Sequence, residues 1–195
     1  MRAPDSEASA QSPPKETTGL YVAALAGQQV AILPLTMLVA DPAFEEDSAW
    51  APWRDRAPAL RRADSIVAGV LETRAPEVTW VGAAELRKRA RRAPGMIPNP
   101  DDMGQAMLRG PKIQEVPDPL RSSLRKLAAI ADGRMVLVPA AVGFSRDSSG
   151  PVRADLTLVM VDARGGRVIW RSIAHGLGPS TDAALKQAVA VILPE

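Results

Sequence analysis

Arg87-Lys-Arg-Ala-Arg-Arg92 places five cations within six positions and is the sharpest charge feature of the chain. On a helix, an advance of about 100° per residue spreads Arg87, Lys88, Arg89, Arg91 and Arg92 around most of the surface outside an Ala83/Leu86/Ala90 stripe. Such a patch suits phosphates, anionic lipid or an acidic protein partner. No aromatics are interleaved with it and no nucleic-acid motif surrounds it, so nucleic acid is the less favoured partner. A second candidate is His175-Gly-Leu-Gly-Pro-Ser-Thr181, between a strand and a helix start, the setting of a phosphate-cradling turn. Pro179 removes a backbone donor there and Thr181 stands where a third glycine is wanted. The segment therefore reads as a structural turn.

Acid–base and metal chemistry find little support. His175 is the single histidine and there is no cysteine, which excludes disulfides, thiolate catalysis and cysteine-bound metals. Asp41, Glu45, Glu46 and Asp47 follow an apolar strand, and Asp101-Asp102 lie further on, but neither group has calcium-loop spacing. Gly143-Phe-Ser145-Arg-Asp147 lacks the second glycine of a nucleophile elbow, and Ser148 offers no better context. No catalytic residue, metal ligand or cofactor loop is expected. Phe44, Trp50 and Trp53 share one segment, where three large rings serve either as cover for a sheet or as an exposed partner-binding patch.

The elements that would hold these residues are clearer. At 195 residues, with 46% hydrophobic and 24% charged side chains, the chain has the composition of a soluble globule large enough for one domain. A net charge of +2 with pI near 9.3 does not by itself imply a polyanion partner. Residues 1–18 are polar, aperiodic and rich in Pro, Ser and Ala, and read as a disordered tail suited to tethering a folded domain, for example to a membrane. Residues 19–195 read as a single domain with a Pro/Gly-rich insertion near 94–117. No hydrophobic signal core opens the chain as given.

Gln28-Gln-Val-Ala-Ile-Leu-Pro-Leu-Thr36 is apolar on both faces and stopped by proline, as expected of a strand inside a sheet covered by helices. The rival, a membrane span over Leu20–Ala40, would bury the Gln28 and Gln29 amides in lipid. Asp41 to Asp55 reads as a loop. A helix follows with Pro58 in its first turn, Leu60, Ala63, Val67, Val70 and Leu71 inward, and Arg61, Arg62 and Asp64 outward. Glu77–Val81 reads as a strand, Ala83–Ala93 as a helix, and Asp101–Leu108 as a turn or two of helix. Asp118-Pro119 starts a helix buried through Leu120, Leu124, Leu127, Ala128 and Ala131 and stopped at Gly133. Arg134–Phe144 is a strand, Ser145–Gly150 a turn, and Arg153–Asp162 with Arg167–Ala174 a hairpin. Ser180 or Thr181 caps a last helix, with Ala184, Leu185, Ala188, Val191 and Ile192 inward and Pro194 as its stop. The fold class is α/β (α+β): a mixed sheet of about five strands covered by helices, in the order β-α-β-α-α-β-β-β-α.

This pattern resembles the envelope modules typified by the amino-terminal domain of TolB, the curli-secretion lipoprotein and the outer-membrane lipoprotein activator of peptidoglycan synthase. The resemblance lies in Val30-Ala-Ile-Leu-Pro-Leu35, the helix Leu60–Leu71, Val78-Thr-Trp-Val81 into Glu85-Leu86, Asp132-Gly-Arg-Met-Val-Leu-Val138, and Leu156–Asp162 through Val168-Ile-Trp170. The insertion at 94–117 and the lack of a lipobox cysteine depart from the lipoprotein pattern. The resemblance implies a non-catalytic domain, periplasmic or outer-membrane associated, that meets an envelope protein partner of the wall-synthesis or secretion machinery. Two other readings stay open: a small-ligand or nucleotide site, or enzyme, in strand-end loops around Asp41 and His175, and a nucleic-acid accessory role for Arg87–Arg92.

Overall fold

The computed structural model describes residues 18–146 and 150–193. The expected tail (but for Thr18), Ser148 and the Pro194 stop lie outside the described residues. Six strands form one mixed sheet: β1 (Gln29–Ile32), β2 (Leu38–Ala40), β3 (Thr79–Val81), β4 (Met135–Arg146), β5 (Val152–Asp162) and β6 (Arg167–Gly178). The order is β3-β1-β4-β5-β6, parallel from β3 to β4 and antiparallel from β4 to β6. The apolar opening strand is thus interior, as its two-faced hydrophobicity requires.

The short strand β2 is absent from the sequence-based order. It runs parallel to β4 on the same edge as β1, Val30–Ile32 pairing with 135–137 and Leu38–Ala40 with 142–144. β1 and β2 are in effect one strand interrupted at Pro34, which has no N–H to give. The interruption leaves a backbone donor and a backbone acceptor inside the protein, where neither can stay unpaired cheaply. Two buried side chains close the account. The Leu35 N–H donates to Asp64 Oδ1 at 2.8 Å, and Gln105 Nε2 donates to the Pro34 carbonyl at 3.1 Å and the Pro100 carbonyl at 2.8 Å.

Helices cover both faces. On one lie α2 (Arg56–Arg74) and α5 (Thr181–Ala190), packed over Ile32, Leu137, Leu156, Leu158 and Met160. On the other lie α3 (Ala83–Ala90), α4 (Leu120–Ile130) and the 94–117 segment, over Leu33, Val136, Val138, Val159 and Val161. Asp64, expected to face solvent, is buried. Leu60 and Val70 are only half-buried, and Ala59 and Ile66 take their places in the core. On α5 it is Val189 that turns inward while Val191 is exposed. The expected Asp118 cap is also displaced. Pro119 sits at the cap position behind a cis peptide, and Asp118 instead accepts a hydrogen bond from Arg121 at 2.6 Å.

The segment read as a loop, Asp41 to Asp55, is mostly helical turns. Asp41 accepts from the Ala43 N–H to start α1 (Pro42–Glu45), and Asp47 accepts from the Ala49 N–H to start a 3-10 turn over Ser48–Trp53. These carboxylates are used as caps. The turns hold Phe44, Trp50 and Trp53 inward against Phe144, with ring centroids 5.1–6.4 Å apart. Trp53 Nε1 donates to Asp182 at 3.0 Å, tying this segment to α5.

Candidate docking face

The strand register brings together a surface that no single sequence motif marks. Along β5, Val161 and Val159 point to the face covered by α4 and the 94–117 segment and are fully buried. The same face continues through Thr157 and Asp155, which are half-buried, to the exposed Arg153. Its neighbours on β6 are Ile173, His175 and Leu177, paired with Thr157, Asp155 and Arg153. On β4 they are Ala141, Gly143 and Ser145, and Val39 of β2 lies beside Gly143. Cover stops at Arg171, whose guanidinium donates to the carbonyls of Leu108, Pro111 and Ile113 at 2.8–3.0 Å. Burial lowers the pKa of that guanidinium.

Beyond Arg171 the face meets solvent. Val39 is 47% exposed, Ile173 40% and Leu177 59%. An antiparallel sheet with one wet face ordinarily alternates apolar-in with polar-out side chains. Here three aliphatic side chains take the outward positions, around a central polar cluster. Asp155 Oδ1 accepts from Arg153 Nε at 2.8 Å and lies 2.6 Å from His175 Nδ1. The opposite side of the same strands is packed on α5 and cannot serve. Gly176 and Gly178 let that helix rest on β6, and a Cβ on Gly178 would come within 2.7 Å of the Ala184 nitrogen.

The residues singled out from sequence fall in different places. Phe44, Trp50 and Trp53 form the aromatic cluster of the core, with Trp50 7% exposed and Trp53 1%, so their ring faces are not a surface patch. The five cations separate. Arg87 turns inward between Asp64 and Asp101, at 2.7 and 2.6 Å. Arg89 reaches Glu85 at 3.0 Å and the Ile130 carbonyl at 2.9 Å, and Lys88 lies 3.6 Å from Glu85. Arg91 and Arg92 face solvent. His175 lies within β6 rather than in a loop after it, and it pairs with Asp155 while Asp41 caps α1, so the two do not act together. Among the described residues there is no cluster of three or more His, Asp or Glu side chains arranged to hold a metal ion.

The buried charge at Asp64 has no counterpart in the sequence pattern. Burial pushes its pKa up to about 6, against the Leu35 N–H and Arg87, which pull it down. Arg87 is held firmly protonated, chiefly by its hydrogen bonds to Asp101 and also by Asp64. Asp64 lies deeper than Arg87, so desolvation governs the acid while the doubly served guanidinium keeps its charge. A cleft of about 490 Å³ between α2 and α3 is lined by Asp64, Arg87, Glu85 and Glu72. Every charged group of the Asp64–Arg87–Asp101 chain has its partner within that chain, which marks it as a structural tie between helices and insertion.

The class defined by these features is a mixed α/β module, with helices on both faces at one end of the sheet and an open face at the other. Solved structures similar to this chain include the following three. One is the LpoB C-terminal domain from Salmonella enterica, with 14% identity and a TM-score of 0.42 over 77% of this chain and 82% of that one. Another is the PelC dodecamer from Paraburkholderia phytofirmans, at 15% and 0.45 over 91% and 90%. The third is lipoprotein GNA1162 from Neisseria meningitidis, at 14% and 0.39 over 80% and 83%. No family model and no curated protein matches the sequence. Among the described residues no helix is long and apolar enough to cross a membrane.

Proposed function

We propose that this chain is a non-catalytic domain of the cell envelope, periplasmic or outer-membrane associated, and works by protein–protein contact as an accessory to wall-synthesis or secretion machinery. The carrying observation is the open β5–β6 face, where Val39, Ile173 and Leu177 stand exposed around the Arg153–Asp155–His175 cluster. Aliphatic side chains surrounding a satisfied polar centre give a partner apolar area to bury and a polar pattern to match. The envelope setting rests on the sequence resemblance. Exposed Lys88, Arg91 and Arg92 on and just after α3 would add a basic margin for an acidic partner, at the modest strength of surface charges.

Photo-crosslinking in the native cell tests this reading. A benzophenone side chain at Val39 or at Leu177 is expected to give a discrete adduct with another envelope protein, and the same group at Lys126 on α4 none. Leu177→Asp should remove the Val39 adduct while the melting temperature stays within about 3 °C of the parent, since exposed substitutions change stability little. Equal labelling at all three positions, or recovery of the protein in the cytoplasmic fraction, defeats the proposal.

A further inference from the structure

β3 ends the sheet on the side away from β6, and among the described residues no strand pairs with its outer edge. The Thr79 N–H donates inward to the Gln28 carbonyl at 3.0 Å, and the parallel register sets Thr79 and Val81 against β1. Backbone groups alternate in direction along a strand. The Trp80 N–H and C=O therefore point outward, as do the Val78 carbonyl and the Gly82 N–H. None of these four groups has a hydrogen-bond partner among the described residues. The whole of β3 and Gly82 line the cleft of about 490 Å³ between α2 and α3. We propose that this edge is a docking site for an extended segment of a partner polypeptide, which enters the cleft and adds to β3 as a further strand.

The chemistry of the edge selects its occupant. Donors and acceptors alternating at strand spacing match an extended backbone, whereas a docked helix keeps its backbone groups paired within itself. A second copy cannot present the same edge, because its own β3 lies between its own α2 and α3. Ser65 and Ala68 on one wall and Ala84 on the other are small, which leaves room for a backbone. Charge sets the ends of the segment. Asp64, Glu85, Arg87 and Arg89 are paired with one another or with Asp101. Arg61 and Glu72 also line the cleft, both exposed, and neither has an ion-pair partner among the described residues. They stand eleven residues apart on α2, about 16 Å at ~1.5 Å per residue. About five extended residues cover the same distance at ~3.3 Å each, so a segment with an acid at one end and a base at the other meets both. This site is independent of the β5–β6 face, and either can fail without the other.

The test uses the full chain and a synthetic peptide with a Val/Thr core between a Lys and a Glu. Its control is the same peptide N-methylated through the core, which keeps the side chains and loses the backbone donors. The first peptide is expected to slow hydrogen exchange at the Trp80 and Gly82 amides at least tenfold. The Thr79 and Val81 amides, already bonded to β1, should change far less. Gly82→Pro removes one outward donor and no internal hydrogen bond. The position has φ −68°, close to proline's own angle of about −65°, and a Cβ there meets only Ala68 at 3.6 Å. This variant should bind the peptide about fivefold more weakly and melt within about 3 °C of the parent. If it fails to fold, the N-methylated peptide makes the same comparison on the parent chain. Glu72→Lys should weaken binding of this peptide and strengthen binding of one with Glu at both ends. Equal binding of the parent peptide and its N-methylated form, or no slowing at Trp80 and Gly82, overturns the proposal. So does slowing that grows with protein concentration in the absence of peptide, which would make a second copy the occupant.

Discussion

Gly176→Val is expected to leave the protein largely unfolded at 37 °C, and Gly176→Ala to cost about 3 kcal/mol. The reason is the closeness of α5 to β6. A Cβ at 176 would stand well inside van der Waals contact of the Ala184 carbonyl oxygen and the Ala188 nitrogen. Both are backbone atoms, so no side-chain rotation relieves the overlap and the helix must lift. Overpacking a core ordinarily costs ~1–3 kcal/mol, and a clash with helix backbone belongs at the upper end of that range. Lifting α5 also exposes Ala184, Leu185, Ala188 and Val189, all fully buried, and strains the Trp53–Asp182 tie to the aromatic cluster. Against a typical total of ~5–15 kcal/mol, the larger valine removes most of the stability. Urea midpoints measure both, with Gly69→Ala as the control. There a Cβ meets open space, and alanine should stabilise by ~0.5–1 kcal/mol. A Gly176→Ala midpoint equal to the parent's would show that the helix does not rest on the strand.

That same contact shows where the sequence is legible and where it is not. The interior position of Val30–Ile32 follows from apolar side chains on both faces, and the hairpin from alternation around Ala163-Arg-Gly-Gly166. His175–Thr181 reads as a turn because Gly176, Gly178 and Pro179 punctuate it. In the fold the glycines are strand residues chosen for the helix above them, a reason no local pattern contains. Asp64 reads as solvated because a carboxylate beside Arg61 and Arg62 on an amphipathic helix usually is. What overrides that is the Leu35 N–H, freed twenty-nine positions earlier by the break at Pro34. The open face is the extreme case. Val39, Ile173 and Leu177 are ordinary residues alone and become a surface only through the register of β2, β4, β5 and β6. The one signal in the sequence is that both strands of the hairpin carry apolar residues at positions of both parities, more than a single buried face needs.

Arg87→Met is expected to cost about 3 kcal/mol at pH 8 and distinctly less at pH 5, because the damage consists of leaving Asp64 as a buried, uncompensated anion. In the parent, the Asp64 pKa stands at about 6 against an ordinary 3.8. A carboxyl raised on folding contributes stability that is full below 3.8 and lost as pH rises through 6. The parent should therefore gain ~1–2 kcal/mol from this group between pH 7 and pH 4, discounted from about 1.4 kcal/mol for each tenfold change in the acidity constant. Removing Arg87 raises the acid further, so the window widens upward and neutral pH falls inside it. Asp64→Asn keeps an acceptor for the Leu35 N–H and has nothing to ionise. It should lie within about 1 kcal/mol of the parent at pH 8 and abolish the gain on acidification. Asp162 acts with the opposite sign in a separate window. Arg134 holds its carboxyl down to about 2, so its contribution is lost only as pH falls from about 4 toward 2. Urea unfolding of the parent, both single variants and the double variant at pH 8, 6 and 4.5 isolates the coupling. A cost for Arg87→Met that does not change with pH, or a parent-minus-Asn difference that is flat from pH 8 to 4.5, would mean that Asp64 is not the buried acid closing the strand break at Pro34.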